Sequence, residues 1–265
     1  ATQPGDEPVV LDGSALSADT DGIVWNTTGE NSVEGLQIRG FSGNGLVMEG
    51  PEIYNADSVP DSLVLNGVTV SENGGTGVLT GAANIVLDGS GCAITDNGSH
   101  GLCVLGGGKI GIRGDGHRIA DNGGSGIFNE YGPDNHIAGE DSELGDVVIA
   151  AGALAGVYRN GGHGIYAAGD DLEIPAGFEV VGNGECGLVM EGPEIFDPAG
   201  VPDSLVLRGV TVSENGGTGV LTGAANIVLD GSGCAITDNG SHGLCVLGGG
   251  KIGIRGDGHR IADNG

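Results

Sequence analysis

The strongest constraint on this 265-residue chain is a nine-residue motif that recurs at nearly constant spacing. The motif reads [Ile/Val]-x-x-Asn-Gly-x-x-Gly-[Ile/Leu/Val] and occurs seven times in full. Gly22 and Gly45 extend the series without the asparagine, and Phe41 occupies the asparagine slot before Gly45. Successive glycines from Gly22 to Gly243 are 23, 32, 24, 25, 38, 23, 32 and 24 residues apart, so most steps are 23–25 residues. Such a period predicts a solenoid in which each repeat forms one coil.

Each motif is expected to form a turn. Asparagine tolerates left-handed backbone angles, and stacked asparagines in successive coils can bond to each other in a ladder. The glycine after the asparagine is expected to supply a positive φ, and the second glycine to let the next strand begin tightly. The residue before that second glycine, for example His100 or His163, is predicted to be a turn position open to many side chains. The predicted ladder asparagines are Asn73, Asn97, Asn122, Asn160, Asn183, Asn215, Asn239 and Asn264, and the second glycines are Gly77, Gly101, Gly126, Gly164, Gly187, Gly219 and Gly243.

The segments between the motifs predict short strands. Runs such as "NIVLDG" and "KIGIRG" are β-rich, bounded by glycine and free of helical periodicity. Aromatic residues make up only 3% of the chain, so the predicted core is a thin stack of Ile, Leu and Val. About nine coils, each of about three strands, predict a rod roughly 45 Å long at the usual spacing between strands.

The motif resembles the repeat of the right-handed parallel β-helix, as found in the pectate-lyase-like β-helix superfamily. "ITDNGSHGLCV", "IADNGGSGIF" and "VYRNGGHGIY" carry the resemblance, which covers about 21–265. It implies an all-β fold, a right-handed parallel β-helix of about nine coils of 23–25 residues with loop insertions. It implies no particular activity, because lyases, hydrolases, tailspikes, adhesins and structural solenoids share this fold.

The chain is predicted to contain an internal duplication with a period of 142 residues. Residues 1–20 are atypical and are predicted to form an N-terminal cap or joining strand, while 21–265 form a single β-helix. Within it, 46–123 are repeated as 188–265, and 59–123 match 201–265 at every position except Asn66, which is Arg208. The eighth motif is cut at the last residue, so the final coil is expected to expose its apolar cross-section. We expect the repetition to continue beyond residue 265 in the natural chain.

The net charge of −27 excludes ordinary nucleic-acid binding, which needs basic residues to neutralise phosphate, and disfavours anionic membranes. No apolar run is long enough to insert into a membrane. An extracellular or cell-surface location in a saline medium fits the acidic composition. The five cysteines show no metal-ligand spacing. Free thiols and a disulfide within each of the pairs Cys92/Cys103 and Cys234/Cys245 are both consistent with the sequence.

Three insertions interrupt the coils and are expected to project from one side. Two are copies of each other, at 50–61 and 192–203, and the third is "EYGPDNHIAGEDSELG" at 130–145. Paired carboxylates in the third insertion could hydrolyse a glycoside, and a cluster of oxygen ligands could hold calcium. The alternative is a solvated acidic loop without a cofactor. The candidate ligand or cation residues are Glu130, Asp134, His136, Glu140, Asp141 and Glu143.

No catalytic residue is predicted. "GGHGIY" at 161–166 resembles the Gly-His-Gly of polygalacturonases, but the accompanying acidic and basic motifs of that family are missing. The sequence therefore favours a structural protein over an enzyme: a stiff, acidic segment of a repetitive surface, filament or adhesin protein. Its expected partners are copies of itself, end to end or side by side, or a cell-surface polysaccharide. The alternative is a carbohydrate-active β-helix enzyme or glycan-binding module that uses the inserted acidic loops.

Overall fold

The computed structural model describes residues 8–26, 29–49, 61–89, 91–106, 108–130, 147–149, 155–168, 172–191 and 203–265. Within these ranges the chain forms strands and turns and no helix, so none of the described residues belongs to a helix that could cross a membrane. The strands stack into long parallel sheets, and the fold is a right-handed parallel β-solenoid. The all-β fold predicted from the repeat is therefore confirmed.

The described residues form 28 strands, numbered β1 to β28 in chain order, which lie on three faces. The ten-stranded sheet contains β1 (Val9–Asp12), β4 (Leu36–Arg39), β7 (Thr69–Ser71), β10 (Ala93–Thr95), β13 (His117–Ala120), β16 (Ala155–Tyr158), β19 (Glu179–Val181), β22 (Thr211–Ser213), β25 (Ala235–Thr237) and β28 (Arg260–Ala262). The nine-stranded sheet contains β2 (Ile23–Trp25), β5 (Leu46–Met48), β8 (Val78–Thr80), β11 (Leu102–Val104), β14 (Ile127–Asn129), β17 (Ile165–Ala168), β20 (Leu188–Glu191), β23 (Val220–Thr222) and β26 (Leu244–Val246).

The third face is divided into two sheets. One has five strands, β3 (Glu30–Glu34), β6 (Ser62–Asn66), β9 (Asn84–Asp88), β12 (Ile110–Ile112) and β15 (Val147–Ile149). The other has four, β18 (Leu172–Ile174), β21 (Ser204–Leu207), β24 (Asn226–Leu229) and β27 (Ile252–Ile254).

Each coil contributes one strand to each face, and each strand pairs in parallel with the equivalent strands of the coils before and after it. Leu102 in β11, for example, is in register with Val78 in β8 and with Ile127 in β14. This arrangement satisfies backbone donors and acceptors along the solenoid axis, so strands of only three residues are stable in it.

The core consists of aliphatic side chains stacked in columns, as the composition predicted. In the ten-stranded sheet one inward column is β-branched from β4 to β28, in the order Ile38, Val70, Ile94, Ile119, Val157, Val180, Val212, Ile236 and Ile261. β-Branched residues pack well on a pleated surface, which favours them in such a column. Eight of these nine are buried, and Ile261 on the last strand is 41% exposed.

The duplicated sequence forms duplicated structure. Strands β6 to β13 correspond to β21 to β28 with an offset of 142 residues, and their bounds agree to within one residue. The two copies differ at one position, which is Asn66 at the end of β6 and Arg208 just after β21. Arg208 donates a hydrogen bond from Nε to Glu173 Oε1 at 2.8 Å and another from Nη1 to Asp230. Asn66 instead lies in register between Glu34 and Asp88, with no cation between the two acids.

We expect Arg208→Asn to lower the melting temperature slightly, because it leaves Glu173 and Asp230, on the two sides of β21, without the cation between them. These side chains are partly exposed, so the effect should be small and should shrink further in 1 M salt. Asn66→Arg should raise the melting temperature slightly for the converse reason. Melting curves at low and high salt measure both changes, and a salt-independent effect would contradict the electrostatic explanation.

Candidate functional site

The most organised polar feature lies at the corner between the ten-stranded and nine-stranded sheets, where every motif asparagine is found. Each asparagine before Asn264 donates a hydrogen bond from Nδ2 to Oδ1 of the asparagine one coil further on. The seven Nδ2–Oδ1 distances from Asn73 to Asn264 are all 2.9 or 3.0 Å. The asparagine ladder predicted from the motif is thereby confirmed.

Asn97 shows how completely each ladder amide is used. Its Nδ2 donates to Asn122 Oδ1 at 2.9 Å and to Val70 O at 3.1 Å. Its Oδ1 accepts from Nδ2 of Asn73 at 2.9 Å and from the backbone N of the same residue at 3.3 Å. Both amide hydrogens and both acceptor positions are occupied. A buried amide costs little when all of its hydrogen bonds are made, so the ladder supports the corner.

The ladder begins at Asn73, because Phe41 occupies the preceding slot. The Phe41 backbone N donates to Asn73 Oδ1 at 3.1 Å, so the backbone bond of the ladder persists there without a side-chain amide. The Phe41 ring is buried and lies against Gly13, where a Cβ would come within 2.4 Å of the ring. An aromatic side chain thus replaces the amide at the N-terminal end of the ladder.

The predicted left-handed position was wrong by one residue. The left-handed backbone angles belong to the residue before each asparagine, which in described coils is acidic, arginine or glycine. The φ values are 57° at Glu72, 58° at Asp96, 58° at Asp121 and 50° at Arg159, and Gly182 has 73°. An L-residue in this region carries backbone strain that the surrounding coils must hold in place.

The positive φ predicted for the glycine after each asparagine is also wrong, because that glycine has no positive φ in the described motifs, and neither does the second glycine. They are required by close approach between coils. A Cβ on Gly98 would lie 2.2 Å from Gly74 O, and a Cβ on Gly101 would lie 2.6 Å from Gly126 O. The same distances recur along both glycine columns, so the glycines set how closely successive corners stack.

The predicted tolerant turn position has specific hydrogen bonds at His100 and His163. His100 Nδ1 accepts from Ser125 N at 3.0 Å, and His163 Nδ1 accepts from Cys186 N at 3.2 Å. The His100 ring stacks on Phe128 with centroids 4.5 Å apart, and Phe128 stacks on Tyr166 at 4.9 Å. Burial lowers the pKa of His100, although Glu130 opposes the shift. These contacts support the corner and place no reacting group.

The pKa of His100 predicts a loss of stability in acid. Because the folded chain binds this proton less readily than the unfolded chain, the free energy of unfolding should fall as the pH drops below about 6.5. The fall should level off below the folded-state pKa. His100→Gln should reduce this pH dependence, since glutamine does not titrate. His242→Gln, at the exposed duplicate position, is the matched control. Equal effects of the two variants in denaturation curves from pH 8 to 5 would contradict the assignment.

The three insertions all leave from the carboxyl ends of strands in the nine-stranded sheet, namely β5, β14 and β20. Glu130, the first candidate ligand, is described and exposed, directly after β14. The remaining candidates lie outside the described residues: Asp134, His136, Glu140, Asp141 and Glu143. In the described part of the chain no group of three His, Cys, Asp or Glu side chains is arranged to hold a metal ion. Calcium at this insertion stays a prediction.

All five cysteines carry free thiols, so the disulfide alternative is wrong for this structure. Cys92 is buried and its Sγ donates to Leu65 O at 3.3 Å, a contact that holds it in the core. Cys103 points away from the core but is only 3% exposed. Burial, with a smaller contribution from Glu130, raises the pKa of Cys103 to about 12.

We expect alkylating reagents to distinguish the duplicated cysteines Cys103 and Cys245. Cys103 is buried and resists ionisation, whereas Cys245 is partly exposed. Because the thiolate is the reactive form, iodoacetamide at pH 8 should label Cys245 at least about tenfold faster than Cys103. Mass spectrometry of tryptic peptides separates the sites, because cleavage after Lys and Arg places Cys103 in 40–109 and Cys245 in 209–251. Equal labelling rates in native protein would contradict the burial of Cys103.

No protein-family model matches the chain, and comparisons with curated proteins and with solved structures also find no match. The functional argument therefore depends on the chain's own geometry. That geometry is a three-faced solenoid, its third face divided into two sheets, with a hydrogen-bonded corner, three insertions that leave from one sheet, and a duplicated surface.

Proposed function

We propose that this chain is an extracellular structural protein, a stiff acidic solenoid segment of a repetitive surface or filament protein. The observation that carries the proposal is the duplication of 59–123 as 201–265, which builds the same strands twice with one substitution. A catalytic site is needed once, and its selection does not maintain a second identical copy. A protein whose useful property is length does benefit from identical units.

The packing of the solenoid supports a mechanical role. Two unbroken strand ladders, the divided ladder of the third face and the asparagine ladder run parallel to the axis, so bending would strain hydrogen bonds along each of them. The net charge of −27 gives the long surface solubility and suits it to a saline medium. We also infer that the fold belongs with the pectate-lyase-like β-helix superfamily, on the strength of the repeat and the ladder.

End-to-end association is part of the proposal. In this chain Ile252 and Ile254 on β27 are 48% and 55% exposed, whereas their duplicates Ile110 and Ile112 are fully buried beneath the next coil. Among the described residues, β28 and β1 are the outermost strands of the ten-stranded sheet. Exposed sheet edges and apolar side chains favour association with further strands. A second copy of the chain offers parallel strands of matching spacing.

Analytical ultracentrifugation and electron microscopy of the 265-residue chain test this proposal. We expect association that increases with concentration and rods longer than about 45 Å, the length of a single solenoid. Ile252→Lys should abolish the association by placing charge on the exposed coil. Gly253→Lys, on the same strand but facing outward, is the control and should leave it intact.

Two results would contradict the proposal in different ways. A chain that stays monomeric at all concentrations would remove end-to-end association. Turnover of a polysaccharide that is lost when the acidic side chains of 130–145 are replaced would overturn the structural function and favour the enzyme alternative.

A further inference from the structure

The outer face of the ten-stranded sheet contains a depression of about 310 Å³ that spans three consecutive coils. It lies over β13, β16 and β19, and its border includes Arg118, Tyr158 and Glu179. Gly116, Ala155 and Gly177 at the strand starts keep its rim low. The depression lies on a different sheet from the strand ends at which the insertions leave, and away from the asparagine corner.

Gly156 makes room for an aromatic ring in this depression. Arg118, Gly156 and Glu179 are in register and face outward on adjacent strands, and the space that Gly156 leaves between the guanidinium and the carboxylate is occupied by the Tyr158 ring. At this register position of the ten-stranded sheet, every strand other than β16 has an outward residue with a side chain. These residues are Val10, Gln37, Thr69, Ala93, Arg118, Glu179, Thr211, Ala235 and Arg260.

Tyr158 leans back along its strand over Gly156. A Cβ on Gly156 would lie 2.1 Å from the tyrosine hydroxyl oxygen and 2.2 Å from Cζ, so the ring needs glycine beneath it. The hydroxyl donates to Glu179 Oε2 at 2.8 Å. Burial, with help from Glu179, raises the pKa of Tyr158 to about 12, which keeps the hydroxyl protonated at neutral pH. The ring is therefore held in place on a rigid sheet.

Arg118 is held on the opposite side of the gap. Its Nη2 donates to Asp121 Oδ2 at 2.8 Å, and Asp121 also accepts two hydrogen bonds from Arg159. Among the described residues Asp121 accepts from Arg118, and a guanidinium with five N–H groups has further donors to offer a ligand. The depression thus combines an aromatic ring, hydrogen-bond donors and a carboxylate acceptor within two coil steps.

We propose that this depression binds a neutral saccharide, with the Tyr158 ring against the apolar face of a pyranose and with Arg118 and Glu179 bonded to its hydroxyl groups. The volume is at the lower end of ligand sites and accommodates about one or two sugar rings. Aromatic rings provide rigid apolar area, and planar polar side chains match vicinal hydroxyls. This site goes beyond the structural function proposed above and does not depend on it.

Other ligand classes fit less well. A net charge of −27 repels acidic polymers and nucleic acids at long range. A peptide that adds as a strand needs an open sheet edge, but β13, β16 and β19 are each paired on both sides. A neutral ligand that lies on top of the paired strands meets neither obstacle.

Isothermal titration with cellohexaose, mannohexaose and xylohexaose tests the proposal, with hexagalacturonate as an acidic probe of the same length. We expect at least one neutral hexasaccharide to bind with a Kd of about 1 mM or tighter, as for a shallow site. Tyr158→Ala and Arg118→Ala should each weaken that binding about tenfold or more. Tyr158→Phe, which keeps the ring and removes the bond to Glu179, should weaken it less than Tyr158→Ala.

Arg260→Ala is the matched control, because Arg260 is the duplicate of Arg118 and bonds to Asp263 in the same way, at 2.7 Å. It should leave binding unchanged. The proposal is overturned if no neutral probe binds, if Arg260→Ala and Arg118→Ala weaken binding equally, or if Tyr158→Ala has no effect in protein with an unchanged melting temperature. Tighter binding of hexagalacturonate than of every neutral probe would also overturn it.

Discussion

Asn122→Ala should destabilise the solenoid by about 4 kcal/mol or more, because it removes four hydrogen bonds from a buried corner. Asn122 Oδ1 accepts from Nδ2 and N of Asn97 at 2.9 and 3.1 Å. Its Nδ2 donates to Asn160 Oδ1 at 2.9 Å and to Ile94 O at 3.1 Å. Alanine would leave these partners unsatisfied in a place that water does not reach, at roughly 1–3 kcal/mol for each buried group.

Urea denaturation measures the change, and native-state hydrogen exchange locates it. A repeat array can lose cooperativity, so slowly exchanging amides in the coils on both sides of Asn122 should be the first to lose protection. Asn122→Asp keeps the shape and the acceptors but loses both donors, so it should be nearly as harmful. That variant separates lost hydrogen bonds from a lost volume.

Asn264→Ala is the control for the ladder. Asn264 also makes four hydrogen bonds, but its corner is only half-buried, so water can replace the missing amide. We expect a loss of about 1 kcal/mol, typical of a hydrogen bond near solvent. If both alanine variants cost the same, burial of the ladder would not be the source of its stability.

The fold could be predicted from the sequence because the residues that specify it recur at a nearly constant period. One coil buries little by itself, so the same aliphatic and asparagine positions must recur at the coil period, as Ile94 and Asn97 do at Ile119 and Asn122. Spacing alone therefore indicated the ladder and its members. The replacement of asparagine by Phe41 could also be predicted, since Gly45 follows Phe41 at the same spacing as the second glycine follows each motif asparagine.

The backbone details of the corner could not be predicted in the same way. The left-handed position is occupied by Glu72, Asp96 and Arg159 in different coils, so no single residue type marks it. The glycines Gly40 and Gly182 at the same position were the sequence signal that this position adopts left-handed angles. The first motif glycine was misread because it is required by contact with another coil, which lies 23 or more residues away in sequence.

The depression at Tyr158 was missed for a related reason. Arg118, Gly156 and Glu179 belong to three coils and become neighbours only through register, and the 38-residue step between Gly126 and Gly164 hides that register in the sequence. Most of the acidic loop predicted as a ligand site lies outside the described residues. Its candidates stay predictions, apart from the exposed position of Glu130.

Gly101→Ala should also be severe, with an expected cost of about 3 kcal/mol or more, because the added methyl group would push two coils apart. The new Cβ would lie 2.6 Å from Gly126 O, 2.7 Å from Ile119 Cγ2 and 2.9 Å from Asn122 Nδ2. The carbonyl oxygen belongs to the backbone of the next coil, which cannot retreat without stretching ladder bonds at that corner. The substitution thus combines overpacking with damage to the asparagine ladder.

Gly111→Ala provides the matched comparison, since Gly111 lies in strand β12 with no positive φ and its Cβ would have no neighbour closer than 3.7 Å. There the methyl group makes ordinary contacts and the unfolded chain loses freedom, so we expect a change between zero and about 1 kcal/mol of added stability. Urea denaturation of the two variants side by side measures the difference. If Gly101→Ala proved as mild as Gly111→Ala, the spacing between corners would be adjustable, and the motif glycines would need an explanation other than close stacking.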